Sequence, residues 1–544
     1  MSVQNFSTTV RIFLIYFLCC FVFACSSTNG KDKIATTDSI PPGSKNDATI
    51  PGNFSSQTTI KFDSTRISSF LEQYPLLKPI QANLFSFYRG RKFAFAWYDD
   101  DGLIEQAANL YNRMQNIHDE GLPDKLPYKQ EFTSLMNDDG TDSATGKPSV
   151  YAELMISAQY FVYASNVWQG ISEKQTLAAE WYLPRKKLSY SNLLDSLLSG
   201  KDLLDSAPVY RQYGLLKNEL KKYKEIQSGG GFPLINADKK SYKKGDSSAV
   251  IDSIRKTLFI TGDLNSNNGS NIFDDELETG VRNFQLRIGQ KPDAVIGSAV
   301  LTELKVPVEN RIQQIIVNME RSRWVPVSVQ SNYIVVNIPE YQLHVYENDS
   351  LIWNMNVVVG QPAHKTVIFN GNIKYVVFSP YWNVPSGILN KEVLPGIKRN
   401  KNYLASHNME WNGGHVRQKP GPNNSLGLVK FLFPNSYDIY LHDTPSKSLF
   451  GENNRAFSHG CIRLSEPEKM ANYLLRNDSS WTKEKINAAM HAGKEKYVTL
   501  KETVPVFIAY FTAWVDRDGK LNFRKDVYGR DSRLDKMIME KPVL

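Results

Sequence analysis

Cysteine, histidine, one-signed charge and long apolar runs are all scarce in this chain. Only 4 Cys occur in 544 residues, too few for a disulfide-built scaffold. The 8 His are scattered, with no His/Cys spacing that would hold a metal, so neither a metal nor a cofactor is expected. No apolar run reaches the roughly 20 residues of a spanning helix, which excludes a multispanning membrane protein. The 64 basic and 56 acidic residues leave a formal charge of only +8, with none of the concentrated basicity of a nucleic-acid binder. What is present is an ordinary globular composition, 41% hydrophobic and 22% charged. The length suits three or four domains of about 150 residues each.

The N-terminus reads as a targeting segment. Arg11 precedes an apolar core at 12–23 that fits a signal peptide. It ends Val22-Phe23-Ala24-Cys25-Ser26, which resembles a bacterial lipobox, where a small residue precedes a Cys that is lipidated and becomes the new N-terminus. A signal cleaved elsewhere or a short anchor helix is the alternative. On the lipobox reading, residues 1–24 are removed and Cys25 carries the lipid. Cys19 and Cys20 leave with the signal, and Cys461 is the one remaining thiol. Residues 25–61 are rich in Ser, Thr, Asn, Gly and Lys and read as a flexible tether. The expected location is the periplasm, on a membrane reached through the lipid.

From 62 to 235 the pattern is helical. Leu103, Ala107, Leu110 and Met114 keep helical spacing, as do Val209, Tyr213, Leu216, Leu220 and Tyr223, until Gly229-Gly230-Gly231 breaks the run. Tyr151, Tyr160, Tyr163 and Trp168 read as core, and no site chemistry stands out. A second unit at 236–320 contains three helices, with Ser298 the expected N-cap of the third. Its Phe284-Gln285, Asp293, Ile296-Gly297 and Leu301 resemble the peptidoglycan-binding three-helix module, although Ala294 stands where Gly is usual. From 321 to 544 the period switches to two, and strands are expected near 333–338, 341–346, 352–359, 373–379, 428–433 and 437–442. A hairpin is expected around Asp516-Arg-Asp-Gly519.

The chemistry concentrates in Tyr440-Leu-His442-Asp443 and Ser458-His459-Gly460-Cys461-Ile-Arg463. A thiol attacks carbonyl carbon as thiolate, so it needs a base or a positive environment nearby. Two histidines are close in sequence, His442 and His459. Strand alternation places His442 on one face with Tyr440. Ser465-Glu-Pro-Glu468 reads as a capping box, which would set Cys461 just before a helix N-terminus.

This arrangement resembles the signature of the L,D-transpeptidases, cysteine enzymes that cross-link peptidoglycan. Tyr381-Trp382-Asn-Val-Pro385, the 417–427 run and Val429-Lys-Phe-Leu-Phe-Pro-Asn435 resemble the large branch of that family, which carries a helical scaffold and a peptidoglycan-binding-like module. The resemblance implies a multidomain fold: helical scaffold and three-helix module joined to a mainly β catalytic domain, with a basic capping element at about 391–430. It implies that Cys461 attacks a donor tetrapeptide stem, that His442 moves the proton, and that an acceptor stem completes a 3–3 cross-link. The Asp443 backbone carbonyl would orient His442. Backbone N–H groups at Gly460 and Cys461 would form the oxyanion hole, with His459 in support. Arg463, where many members have Asn, would bind substrate with Tyr440 and Trp382. Carbapenem-type inhibitors are implied partners, and nucleic acid is not. An L,D-carboxypeptidase using water as acceptor, or a non-catalytic lipoprotein tethering membrane to wall, are the alternatives.

Overall fold

The structure is a computed structural model that describes residues 60–99, 102–138, 140–142, 145–199, 208–326 and 332–540. The signal segment, Cys25 and most of the tether lie outside the described residues. Among the described residues no helix is long and apolar enough to cross a membrane.

The first region packs around α1 (Val150–Tyr163). Ser149 caps α1 by accepting from the Ala152 N–H, and every residue from Ala152 to Tyr163 is buried. A helix buried on all sides is a core helix, so its aromatic residues serve as packing, as the sequence suggests, while its buried Glu153, Ser157 and Gln159 are hydrogen-bonded. α1 runs directly into a π-helical turn, Ala164–Gln169. α2 (Gln212–Ser228) ends where Gly230 and Gly231 adopt φ of +102° and +76°. Val209 precedes this helix and is not part of it.

α3 (Ala249–Ile260), α4 (Asp275–Arg287) and α5 (Ser298–Leu304) bury a separate apolar cluster that includes Ile251, Leu258, Leu277, Phe284 and Val300. The N-cap of α5 is Gly297, not Ser298, which is already the first helical residue and makes no capping bond. Gln285 ties the α4–α5 turn: its amide donates to Asp293 Oδ1 (2.7 Å) and accepts from the Ala294 N–H (2.8 Å). The Gln285…Asp293 pairing is therefore structural. Ala294 sits at φ +62°, which explains why Gly suits that position.

α6 (Val308–Trp324) then packs on α2 and carries a row of buried polar residues from Asn318 to Arg323. A boundary drawn at 320/321 falls inside this helix.

The β domain comprises β1 (Asn332–Asn337), β2 (Gln342–Glu347), β3 (Ser350–Gly360), β4 (Asn370–Phe378), β5 (Trp382–Asn383), β6 (Met409–Asn412), β7 (His415–Gln418), β8 (Val429–Leu432), β9 (Leu441–His442), β10 (Ala456–Ser458), β11 (Ile462–Leu464) and β12 (Lys496–Ala509). Strand order in the main sheet is β10-β3-β11-β9-β8-β4-β12-β1-β2, and β2 also pairs with β3, so the sheet closes on itself. The β2–β3 turn uses Asn348 and Asp349, both at positive φ as a two-residue hairpin turn requires. β5, β7 and β6 form a separate three-stranded sheet. With the short helices of 386–406 it makes an inserted subdomain around Val384, Val393 and Val416. Lys430 belongs to β8 of the main sheet, so the insert ends before it. The expected hairpin is present as β13 (Ala513–Val515) and β14 (Leu521–Phe523).

α7 (Pro467–Leu474) follows β11. The expected capping box is absent: Glu466 occupies the N-cap without a side-chain bond, and Ser465 instead donates its N–H to the Asn356 carbonyl. α8 (Asp531–Met539) closes the described chain against α6.

Candidate active site

Register brings the sequence-predicted residues together. β9 and β11 run parallel, with Leu441 opposite Ile462 and His442 opposite Arg463. Alternation sends Leu441, Ile462 and Leu464 into the core, where all three are fully buried. Tyr440, His442, Cys461 and Arg463 share the other face, joined by Lys430, which pairs with His442 from β8. His442 and Cys461 are diagonal neighbours on adjacent strands.

His442 is buried, and its Nδ1–H donates to the Asp443 carbonyl at 2.5 Å. That bond fixes the tautomer and leaves Nε2 as the acceptor. Burial, with help from Arg463, pushes the imidazole down to about 3, so it is neutral at physiological pH. The Asp443 carboxylate has a different task. It accepts from the N–H groups of Leu428 (2.8 Å) and Thr444 (2.7 Å) and from Lys447 Nζ (2.5 Å). Those bonds hold the backbone whose carbonyl orients His442. Gly427, at φ +63°, lies so close that a Cβ would come within 2.3 Å of the carboxylate.

Cys461 is half-buried, and its Sγ faces the Asp438 carbonyl at 3.5 Å. Burial pushes the thiol up, while hydrogen bonds from the Tyr440 backbone and side chain and the Arg463 charge pull against that shift. No hydrogen bond joins His442 to the sulfur, a common state of catalytic pairs before substrate arrives. β11 separates Cys461 from α7, so the expected helix-end stabilisation of a thiolate is not supplied. The nearby positive charge comes from Arg463. Its Nε is buried without a hydrogen-bond partner, and it forms no ion pair among the described residues.

The nucleophile turn is clamped. Gly460, at φ +117°, accepts from Thr366 Oγ1 (2.8 Å), and Thr366 Oγ1 accepts from the Gly360 N–H (2.9 Å). Ser458 Oγ donates to the Cys461 carbonyl (2.5 Å) and accepts from the Gly460 N–H (3.1 Å). The Gly460 N–H, expected in the oxyanion hole, is thus already engaged, which leaves the Cys461 N–H as the better donor. His459 makes its side-chain contacts elsewhere. It stacks on His364 with ring centroids 4.9 Å apart and approaches Glu392 of the insert at 3.7 Å. Trp382 packs into the insert's apolar cluster. The expected basic element at 391–430 holds seven Lys and Arg; of these, Arg417 and Lys419 pair with Glu410 and Lys430 lies in the main sheet. Lys391, Lys398, Arg399 and Lys401 remain exposed. Thr366, the Asp438 carbonyl and the clamping role of Ser458 escaped the sequence reading. Thr366 lies 95 positions before the nucleophile, and backbone carbonyls leave no sequence signal.

Comparison with known families now bears on this face. Residues 331–498 match the L,D-transpeptidase catalytic domain, and residues 82–220 match a scaffold domain. The chain therefore carries an L,D-transpeptidase catalytic domain together with a scaffold domain. A curated Haemophilus influenzae protein described as "Putative L,D-transpeptidase" is 33% identical over 247 residues, covering 42% of this chain and 50% of that protein. The chain thus spans about half the length of that curated relative. Among solved structures, an L,D-transpeptidase from Stackebrandtia nassauensis is 15% identical, covering 51% of this chain and 96% of its own, with a TM-score of 0.22. L,D-transpeptidase 3 from Mycobacterium tuberculosis, in complex with a faropenem-derived adduct, is 15% identical over 33% of this chain and 60% of its own (TM-score 0.18).

Proposed function

We propose that the chain is a peptidoglycan L,D-transpeptidase that forms 3–3 cross-links between stem peptides through a thioester on Cys461. The observation that carries this reading is the shared sheet face of Cys461 and a neutral His442 whose Nε2 is free. In the first step Sγ bonds to the carbonyl carbon of the third stem residue, and the amide to the terminal D-Ala breaks. The thiol proton passes to His442 Nε2 and on to the departing amine. In the second step the side-chain amine of an acceptor stem attacks the thioester. A new amide forms, the sulfur leaves, and the amine's proton returns through His442. The Cys461 N–H stabilises the oxyanion, and Arg463 attracts substrate carboxylate. The insert, which touches the nucleophile turn through Glu392 and His459, caps the donor stem.

Mass spectrometry of tetrapeptide muropeptides incubated with the purified protein tests the reading. Cross-linked dimers are expected. Tripeptides alone would make water the acceptor and the enzyme a carboxypeptidase. No product from the wild-type protein, against a competent acceptor, would overturn both. The strained carbonyl of a carbapenem offers Sγ the same chemistry, so a covalent adduct at Cys461 is part of the proposal. So is membrane attachment through a lipidated Cys25 in the periplasm.

A further inference from the structure

The scaffold region contains a cavity of about 540 Å³, apart from the catalytic face, bounded by residues 79–83, the end of α1, the π-helical turn and Tyr190. Its size is in the range of small-molecule sites, roughly 300–1,000 Å³. π-helical turns are rare and often mark functional positions. Here the i to i+5 bond from the Gly170 N–H to the Ser165 carbonyl (3.0 Å) widens the helix, and Ser165 and Gln169 line the cavity beside Phe161.

The wall is braced from behind. Gly170 leaves the turn at φ +75°, and a Cβ there would collide with the Glu320 carboxylate. Glu320 accepts from the Ile171 N–H at 2.6 Å and is buried against Arg323. Arg185 grips the carbonyls of Gln169 and Ile171.

Donor and acceptor accounting indicates what would fit. Gln175 gives its Oε1 to the Ser172 N–H (2.9 Å) and hydroxyl (2.8 Å), which fixes the amide orientation and leaves its NH₂ group free. Gln169 gives its Oε1 to the Tyr190 hydroxyl and also retains its NH₂. The Asn83 amide, half-buried in the lining, has no protein partner among the described residues. Pro79, Ile80 and Phe161 add an apolar wall. No Lys or Arg lines the cavity, and its one charged lining group is the Glu173 carboxylate, so it has no counter-charge for a phosphate or carboxylate and offers an acceptor to a ligand hydroxyl. The complement is a neutral ligand rich in oxygen acceptors with one apolar face.

We propose that this scaffold cavity binds a neutral glycan segment, with its oxygens on the Asn83, Gln169 and Gln175 amides and a C–H or methyl face on the exposed ring of Pro79. The choice of N-acetylated sugar rests on the peptidoglycan reading above. The test titrates triacetylchitotriose into the purified full-length protein by calorimetry. Saturable binding is expected, weakened at least tenfold by Asn83→Leu, with melting temperature and Cys461 acylation unchanged, and by Gln169→Leu, which also frees the Tyr190 hydroxyl and lowers the melting temperature. Cys461→Ser should lose acyl transfer and leave sugar affinity intact, whereas sugar binding by a wild-type protein that shows no acyl transfer would refute the catalytic reading alone. Absence of binding, equal binding in both cavity variants, or competition by a sugar-free stem peptide would overturn the glycan site. If either Leu variant unfolds, Asn83→Asp, which keeps size and removes the amide donor, provides the same comparison.

Discussion

His442 is held neutral by burial, and the Cys461 thiol is also raised by burial, so the pair is uncharged at rest and not a preformed thiolate–imidazolium. The pH dependence follows. His442 acts as base only when neutral, which it is above about pH 3, so it imposes no acid limb in the usual working range. The reactive thiolate fraction grows as pH rises toward the raised thiol value. Carbapenem acylation of Cys461 should therefore climb continuously from pH 6 into the alkaline range, read by intact mass. Arg463 lowers both groups. Arg463→Gln should let His442 move up toward its ordinary 6.5 and the thiol rise further, shifting the whole profile to higher pH. A plateau below pH 7 in the wild type would contradict this. The two histidines separate by the same measurement. His442→Ala should slow acylation by about 10²–10⁴-fold, as for a lost general base. His459→Ala, which loses only its contacts with His364 and Glu392, should cost far less. The reverse ranking would overturn the assignment, and Cys461→Ser should carry no adduct.

At the scale of elements, Ala294 is the most testable departure. It holds a left-handed conformation at φ +62° that costs a Cβ-bearing residue roughly 1–2 kcal/mol. Ala294→Gly should raise stability by about 1 kcal/mol, discounted for the greater freedom of glycine in the unfolded chain. Denaturant unfolding would show it, and a loss of stability would mean that the Ala294 side chain matters more than its backbone. Periodicity and apolar runs made the helices and most strands legible in sequence: β12 alternates buried and exposed residues, and β1 and β4 bury short apolar runs. The His442 and Cys461 motifs were legible because their chemistry needs those residue types. Local signals misled where tertiary bonds outcompeted them. Ser465 looks like an N-cap, but the Asn356 carbonyl takes its N–H and β11 occupies the space before α7. The Gly460 N–H looks free until Ser458 folds back onto it. The scaffold cavity had no sequence signal at all, since its amides come from segments nearly 100 positions apart.

For the molecule as a whole, scaffold and β domain share one continuous apolar core, whereas α3–α5 keep their own. Trp181 of the scaffold packs on Trp324 (5.1 Å) and Phe511 (6.0 Å), and Arg530 pairs with Glu180 at 2.7 Å. Trp181→Ala should cost about 3–5 kcal/mol. Helical and β signals should fall together in thermal unfolding, and scaffold melting ahead of the sheet would refute a common core. The anchor is tested at the same scale: Cys25→Ala should move the protein from the membrane to the soluble fraction, and unchanged fractionation would sink the lipid proposal. The shared core also sets an order in time. Gln212 bonds both ways with Val515, and Lys125 reaches the Met539 carbonyl, so residues made early are completed by residues made hundreds of positions later. At about 5–20 residues per second, the roughly 300 residues between Gln212 and Val515 take on the order of 15–60 s to synthesise. Throughout that interval the nascent scaffold lacks the surface that seals it. An early segment of the chain thus waits for a late one before its surface closes.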